Sequence, residues 1–294
     1  MKIADVAKSG PRRFLSSSLK TYREITGPIR LMPNFIIIGV QKGGTTSLYN
    51  YLIEHTNIVP ASMKEVHFFD RNYQKGPSWY RAHFPSFIHK YYAETLCRRH
   101  FLTGEASPYY LFHPHAPRRI AQLLPQVKLI ALLRNPADRL YSHYCHEVQL
   151  GHETLSLEDA IACEEERTGR EREKLMTNEH YYSYNYQHFT YLERGKYVDQ
   201  LQRWFNFFPR EQMLLLKSED LYADPAAVFK QTLEFLGIPC SVSGQLQKEY
   251  KQYNKSKEAS SKMKPELRQC LVEYYKSHNA LLYELLGRDF GWDK

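Results

Sequence analysis

Cysteine is scarce in this sequence, and its few copies form no recognisable pattern. The five cysteines include no CxxC pair and no spacing typical of a zinc site; they are Cys97, Cys145, Cys163, Cys240 and Cys270. Reduced thiols in a cytosolic protein are the simplest account of such a set. We therefore expect a cytoplasmic protein, and the Met at position 1 favours a natural cytosolic chain.

Long apolar runs and blocks of a single charge are also missing. No stretch approaches the length of a transmembrane helix, and the N-terminus lacks the apolar core of a signal peptide. The net charge is +8, but no single block of Lys and Arg is typical of a nucleic-acid tract. We expect no transmembrane segment and no nucleic-acid partner, whereas a basic cleft would suit a polyanionic ligand.

Residues 33–55 contain the most informative motif. Phe35 to Val40 is a short apolar run rich in β-branched residues, which predicts a buried strand. Gly39 near the end of this run, and Gly43 and Gly44 after it, allow backbone conformations that bulkier residues resist. Thr45, Thr46 or Ser47 can then cap a helix. A strand, a glycine loop and a helix N-terminus together predict an anion site, because free backbone N–H groups and the helix dipole point at it.

The loop lacks two features of a Walker A motif. Thr45 stands where the Walker lysine should follow the last glycine, and the lysine is Lys42 instead. The next convincing buried strand, Val127 to Leu133, ends in Arg134 and supplies no acid for magnesium. We therefore predict a phosphate pocket without a metal, which disfavours a nucleotide kinase.

The rest of the chain alternates strands with helices. Met213 to Lys217 is a predicted strand, and helices are predicted over 191–208, 225–236 and 265–286. This alternation predicts an α/β fold with a P-loop-like central parallel sheet and helices on both faces. We expect an N-terminal arm or helix over 1–32 and a single domain over 33–294, in which 151–190 is a candidate lid.

Three motifs carry a family resemblance. KGGTTSL at 42–48, KEVHFFD at 64–70 and RNPADRLYSHY at 134–144 occur in the order found in sulfotransferases that use 3′-phosphoadenosine 5′-phosphosulfate (PAPS). Within that superfamily the chain resembles the heparan sulfate type, the glucosaminyl N- and 3-O-sulfotransferases. The resemblance runs from about Pro33 to the C-terminus and is specific for the chemistry, but much less so for the acceptor.

The resemblance implies a set of donor-binding residues. Lys42 would stabilise the leaving phosphate, while Arg134 and Ser142 would hold the 3′-phosphate through paired hydrogen bonds. Lys255 lies in an NKSK stretch that departs from the family's SKGR-like loop, so it is a weaker donor contact. The product would be adenosine 3′,5′-bisphosphate, with no metal required. The 5′-phosphate would be bound by Lys42, Gly43, Gly44, Thr45, Thr46 and Ser47.

The same resemblance supplies catalytic and acceptor-side candidates. Glu65 is the expected base, although outside the motif it would be interpreted as a surface partner of Lys64. His67 either orients Glu65 or contacts the acceptor, and His146 is a second candidate for handling the proton. The proposed substrate-binding residues are Asp70, Trp79 and Tyr80, for which turn or packing roles are the alternatives.

The acceptor is left open by the sequence. The heparan-type motifs fit a glycan, whereas a chain without an anchor or disulfides fits a small metabolite or natural product, which we slightly favour. A non-catalytic PAPS-binding module is a further alternative. The oligomeric state has no signature in the sequence.

Overall fold

A five-stranded parallel sheet forms the centre of the molecule. The structure is a computed structural model and describes residues 21–239, 250 and 263–293, so Lys255 lies outside the described residues. The strands lie in the order β2-β3-β1-β4-β5. Their bounds are β1 Phe35–Gly39, β2 Ile58–Pro60, β3 Leu102–Ala106, β4 Lys128–Leu133 and β5 Met213–Lys217.

Twelve α-helices with defined bounds occur in the described part of the chain. They are α1 Thr45–Ile53, α2 Gly76–Arg81, α3 Phe87–Tyr91, α4 Ala116–Leu123, α5 Pro136–Gln149, α6 Leu157–Ala162, α7 Glu164–Thr177, α8 Tyr184–His188, α9 Tyr197–Phe205, α10 Ser218–Ala223, α11 Pro225–Leu236 and α12 Pro265–Leu286. Residues 21–25 are also helical, and Phe68–Asn72 and Tyr92–Leu96 form π-helical turns.

The central strands are apolar on both sides because helices cover both faces of the sheet. Ile36 and Ile38 of β1 pack with α4, α9 and the C-terminal part of α12. Phe35 and Ile37, which point the other way, pack with α1 and α11. The predicted parallel sheet with helices on both faces is therefore confirmed.

One predicted helix is wrong at its start. The pattern predicted a helix over 191–208, but α9 begins only at Tyr197, after a 3₁₀ turn at Glu193–Gly195. The carboxylate of Glu164 explains this, since it accepts the backbone N–H groups of Tyr191, Leu192 and Glu193 at 2.6–3.0 Å. These contacts hold the segment in an irregular conformation before the helix begins.

No helix among the described residues is both long enough and apolar enough to cross a bilayer. The single domain over 33–294 and the candidate lid over 151–190 stay predictions. The lid region contains α6, α7 and α8.

Candidate active site

The glycine loop lies between the carboxyl end of β1 and the start of α1. Gly44 has φ 90°, a left-handed conformation that favours glycine, and it is the N-cap of α1. A Cβ atom on Gly43 would stand 2.6 Å from the carbonyl oxygen of Leu132, so only glycine fits there. The loop therefore packs closely on β4 and leaves the first N–H groups of α1 at the carboxyl edge of the sheet.

Two cations flank this loop. Arg134 donates from Nη1 to the carbonyl oxygen of Lys42 at 3.0 Å. Burial lowers the pKa of Lys42, and the positive charge of Arg134 lowers it further, whereas Glu147 raises it. Like charges held this close repel each other, and a bound anion would relieve that repulsion.

The other residues predicted to bind the sulfuryl donor lie on α1 and α5. Thr45 and Ser47 are buried at the start of α1, and Thr46 is half-buried beside them. Ser142 lies on α5, one turn before His146. Arg134 contacts the loop itself, and its assignment to the 3′-phosphate stays a prediction.

Three side chains of the KEVHFFD segment form a chain of contacts. His67 Nε2 lies 3.1 Å from Glu65 Oε2, and His67 Nδ1 lies 2.7 Å from Asp70 Oδ2. His67 has φ 53°, so the backbone turns at this residue. The imidazole therefore stands between two carboxylates and fixes the position of Glu65.

These contacts set the charges of the segment. Burial lowers the pKa of His67, but hydrogen bonds to Asp70 and Glu65 outweigh it and raise the pKa to about 9. Burial raises the pKa of Glu65, but the hydrogen bond from His67 and the charge of Lys64 outweigh it, so the net shift is downward. At neutral pH, Glu65 is therefore an ionised carboxylate able to accept a proton, and His67 is already protonated.

The same shift links His67 to folding stability. The pKa of His67 rises from an unperturbed 6.5 to about 9 on folding. Its ion pairs therefore stabilise the fold fully below about pH 6.5, and this contribution is lost as the pH rises through about 9.

Lys64 connects this segment to the phosphate loop. Its Nζ donates to Thr46 Oγ1 at 3.0 Å and lies 3.5 Å from Glu65 Oε1. From the sequence, Lys64 is predicted only as a surface partner of Glu65. Its position next to Glu65 indicates that contact. Its contact with Thr46, 18 positions away, forms only in the folded chain.

Beneath the segment lies a buried carboxyl group that the sequence did not single out. Glu105, at the end of β3, accepts hydrogen bonds from Tyr80 (2.6 Å), Ser107 (2.8 Å) and Tyr110 (3.3 Å). Burial raises the pKa of Glu105 to about 7, against the effect of the Tyr80 and Ser107 hydroxyls. Ser107 Oγ and Tyr110 Oη also accept the backbone N–H groups of His67 and Phe68, so this network supports the KEVHFFD segment from below.

The predicted acceptor contacts need correction. The Asp70 side chain is fully buried against His67, and Tyr80 is 0% exposed and bonded to Glu105. Neither can contact an acceptor directly, so both positions support the site instead. Trp79 is half-buried and stacks on Phe68 with ring centroids 6.1 Å apart, while Lys75 Nζ lies 4.5 Å from its ring.

His146 lies within electrostatic range of both halves of the site. Burial and the charge of Lys42 lower its pKa, whereas the charges of Glu147 and Glu65 raise it. The net shift is downward, so His146 is neutral at pH 7. A neutral imidazole can accept a proton, and His146 stays a second candidate for that role.

A cavity of about 380 Å³ lies elsewhere, between α7 and α9. None of the residues proposed above for catalysis, donor binding or acceptor binding lines it, and its walls include Phe112, Met176 and Tyr186. It therefore has no part in the site built here.

A parallel sheet with a glycine loop and a helix N-terminus at its carboxyl edge is an architecture that binds nucleotides and other phosphates. The chain belongs to the sulfotransferase family, because the family model described as the sulfotransferase domain matches residues 32–285. Members of this family use PAPS as the sulfuryl donor, which confirms the predicted enzyme class and disfavours the kinase.

Relatives and a solved structure support this assignment. The chain is 28% identical to the membrane-associated sulfotransferase kil1 of Dictyostelium discoideum, over 91% of this chain and 68% of that one. It is 31% identical to heparan sulfate glucosamine 3-O-sulfotransferase 3B1 of Mus musculus, over 89% of this chain and 65% of that one. A sulfotransferase from Alicyclobacillus acidocaldarius superposes with a TM-score of 0.65 at 30% identity, covering 90% of this chain and all of its own.

The chain spans about two thirds of the length of these two curated relatives. The names of the relatives also correct one prediction made from the sequence. The predicted cytoplasmic location is wrong, because the Dictyostelium relative is named as membrane-associated and the mouse relative as a heparan sulfate enzyme. Reduced cysteines fit the cytosol, but their scarcity does not specify a compartment.

The first prediction concerns the charge of His67. Asp70→Asn removes the carboxylate that raises the pKa of His67, so the alkaline limb of the kcat profile should shift down by about 1–2 pH units. The measurement is the pH dependence of kcat. Asp199→Asn, at an exposed position, should leave the profile unchanged. An unshifted alkaline limb in Asp70→Asn would contradict the role given to His67.

The second prediction tests the correction made for Tyr80. Tyr80→Phe removes a hydrogen bond to buried Glu105, so the free energy of unfolding should fall by about 1–3 kcal/mol. The KM for the acceptor should stay unchanged because the ring has no exposed surface. Tyr92→Phe, at a position 56% exposed, is the matched control for stability. A raised KM with unchanged stability would restore Tyr80 as an acceptor contact.

Proposed function

We propose that this protein transfers the sulfuryl group of PAPS to a hydroxyl or amine on a heparan-type glycan. One observation carries the catalytic part of this proposal. Lys64 joins Glu65 to Thr46 at the start of α1, so the base and the phosphate cradle form one connected unit. The names of the relatives support the glycan part.

The backbone and the charge of the loop support binding of the donor's phosphate. Gly43 and Gly44 let the loop pack closely against Leu132, Leu221 and Tyr222, where a Cβ would crowd these residues. Lys42 and Arg134 concentrate positive charge beside the first turn of α1. Lys42, Gly43, Gly44 and the following hydroxyl residues would hold the 5′-phosphate, and Arg134 with Ser142 would hold the 3′-phosphate.

PAPS, when bound, supplies the sulfuryl group and departs as adenosine 3′,5′-bisphosphate. The role of this chain is to position the reactants and to balance charge as the transfer proceeds. Glu65 accepts the proton of the acceptor hydroxyl or amine, whose oxygen or nitrogen forms the new bond to sulfur. Lys42 stabilises the negative charge that develops on the oxygen released at the 5′-phosphate.

Glu65 is a better base than His67 in this geometry. The His67 imidazole is protonated at neutral pH and donates to Glu65, so it orients the carboxylate. His146 is neutral at that pH and is the alternative base. Substituting Glu65 and His146 separately distinguishes these two candidate bases.

We now favour a glycan as the acceptor, in place of the small molecule that the sequence slightly favoured. The mouse relative is named for heparan sulfate glucosamine, and no comparable observation favours a small metabolite. Exposed Tyr182 and Tyr184 lie in the candidate lid, and Arg71, next to the catalytic segment, stands 5.7 Å from the Tyr182 ring. We propose that residues 151–190 form the acceptor side of the cleft.

The third prediction assigns the base. Glu65→Gln should lower kcat by about 10²–10⁴-fold, while calorimetry should give an unchanged affinity for adenosine 3′,5′-bisphosphate. Glu165→Gln, at an exposed position, is the matched control. Should His146→Asn abolish turnover while Glu65→Gln retains it, the proton passes to His146 instead.

The fourth prediction concerns the acceptor. With ³⁵S-labelled PAPS, the full-length protein should label desulfated heparan sulfate or its oligosaccharides above a panel of phenols, sterols and amines. Nitrous acid cleavage of the labelled glycan separates N-linked from O-linked sulfate. Labelling confined to a small molecule would overturn the glycan assignment and keep the sulfotransferase. Absence of transfer to any acceptor, with adenosine 3′,5′-bisphosphate still bound, would favour a binding module.

A further inference from the structure

A second group of ionisable side chains lies outside the residues used above. Glu147 Oε2 is 2.7 Å from His188 Nδ1 and 2.9 Å from His152 Nδ1, and the two Nδ1 atoms are 3.1 Å apart. Glu147 is 1% exposed, His188 14% and His152 31%. Three potential ligand atoms from three separate segments therefore converge on one point at the edge of the solvent.

This group joins the candidate lid to the body of the enzyme. Glu147 lies on α5, next to His146, whereas His152 follows α5 and His188 ends the short helix α8. Tyr184 covers the two imidazoles, with ring centroids 4.4 Å from His188 and 5.6 Å from His152. The group thus fixes both ends of the 151–190 region to one position on α5.

Hydrogen bonds alone satisfy this arrangement poorly. The three atoms make three short contacts, but the two Nδ1 atoms carry at most two protons, so the three contacts cannot all be linear hydrogen bonds.

A divalent ion satisfies all three atoms at once. Zinc binds imidazole nitrogen and carboxylate oxygen at about 2.0–2.1 Å, and an ion at that distance from each atom stands just above the triangle that they form. The other oxygen of Glu147 lies 3.2 Å from His143 Nε2, and His143 is fully buried.

We propose that Glu147, His152 and His188 bind a zinc ion that anchors the candidate lid to α5. The two histidines and one carboxylate leave the fourth tetrahedral position to water. Two neutral imidazoles with a carboxylate favour zinc over magnesium or calcium, which prefer sites made of oxygen alone. The ion is an anchor in this proposal, and the transfer reaction needs no step on it.

The test measures metal binding and does not depend on sulfate transfer. Full-length protein without a histidine tag is treated with a chelator, dialysed and titrated with zinc chloride by calorimetry. One equivalent should bind and raise the melting temperature. Cobalt added in place of zinc should produce the intense visible bands of a tetrahedral nitrogen and oxygen site.

Matched histidine variants locate the site. His152→Gln and His188→Gln should each weaken zinc binding at least about 10-fold. His180→Gln, an exposed histidine of the same region, should bind as the parent protein does. Circular dichroism establishes that each variant is folded.

Two outcomes would overturn the proposal. One is a parent protein with no saturable zinc binding, or with only the weak bands of octahedral cobalt. The other is unchanged affinity in both ligand variants. If a ligand variant fails to fold, the cobalt spectrum of the parent protein decides the question.

Discussion

The carbonyl oxygen of Leu132 holds the glycine loop in place. It accepts the N–H of Val40 at 3.0 Å, and Gly43 lies so close above it that a Cβ would be 2.6 Å away. The buried hydroxyl of Ser218, the first residue of α10 after β5, donates to the carbonyl of Gly43 at 2.6 Å. The position of the glycine loop therefore depends on how β1, β4 and β5 pair in the sheet.

From this fixed loop, the chemistry is arranged through alternating charges. Lys42 and Arg134 are positive, Glu65 is negative, His67 is positive and Asp70 is negative. Within the series Glu65, His67 and Asp70, each ionised group is stabilised by its neighbour, because burial alone would drive all three toward their neutral forms. Lys42 and Arg134 repel each other instead. A change at one member of the series should alter the protonation of the next.

The segment between α5 and α9 is tied to this arrangement at several points. Glu147 binds histidines at both ends of the segment, and Glu164 holds the backbone ahead of α9. Arg71, which directly follows the KEVHFFD segment, lies 5.7 Å from the ring of Tyr182. These contacts explain how a region rich in charged residues takes a defined place in the fold without a large apolar core of its own.

Much of the fold was readable from the sequence because it follows from local patterns. The run Phe35–Val40 and the bounds of β5, α11 and α12 reflect apolar periodicity and flanking Gly or Pro, which act over a few residues. The glycine loop was readable for the same reason, whereas Glu65 was singled out through its family motif and its role stays a proposal. Tyr80 and Asp70 were misassigned, since an aromatic or acidic residue in the sequence carries no sign of whether the fold will bury it.

Three contacts were missed because each joins residues separated by 18 to 41 positions. They are Lys64 with Thr46, Glu105 with Tyr80, and Glu147 with His188. The sequence by itself determined the central strands, the long helices apart from the start of α9, and the glycine loop. Only tertiary packing decided which charged groups meet, because burial and pairing depend on contacts between distant segments.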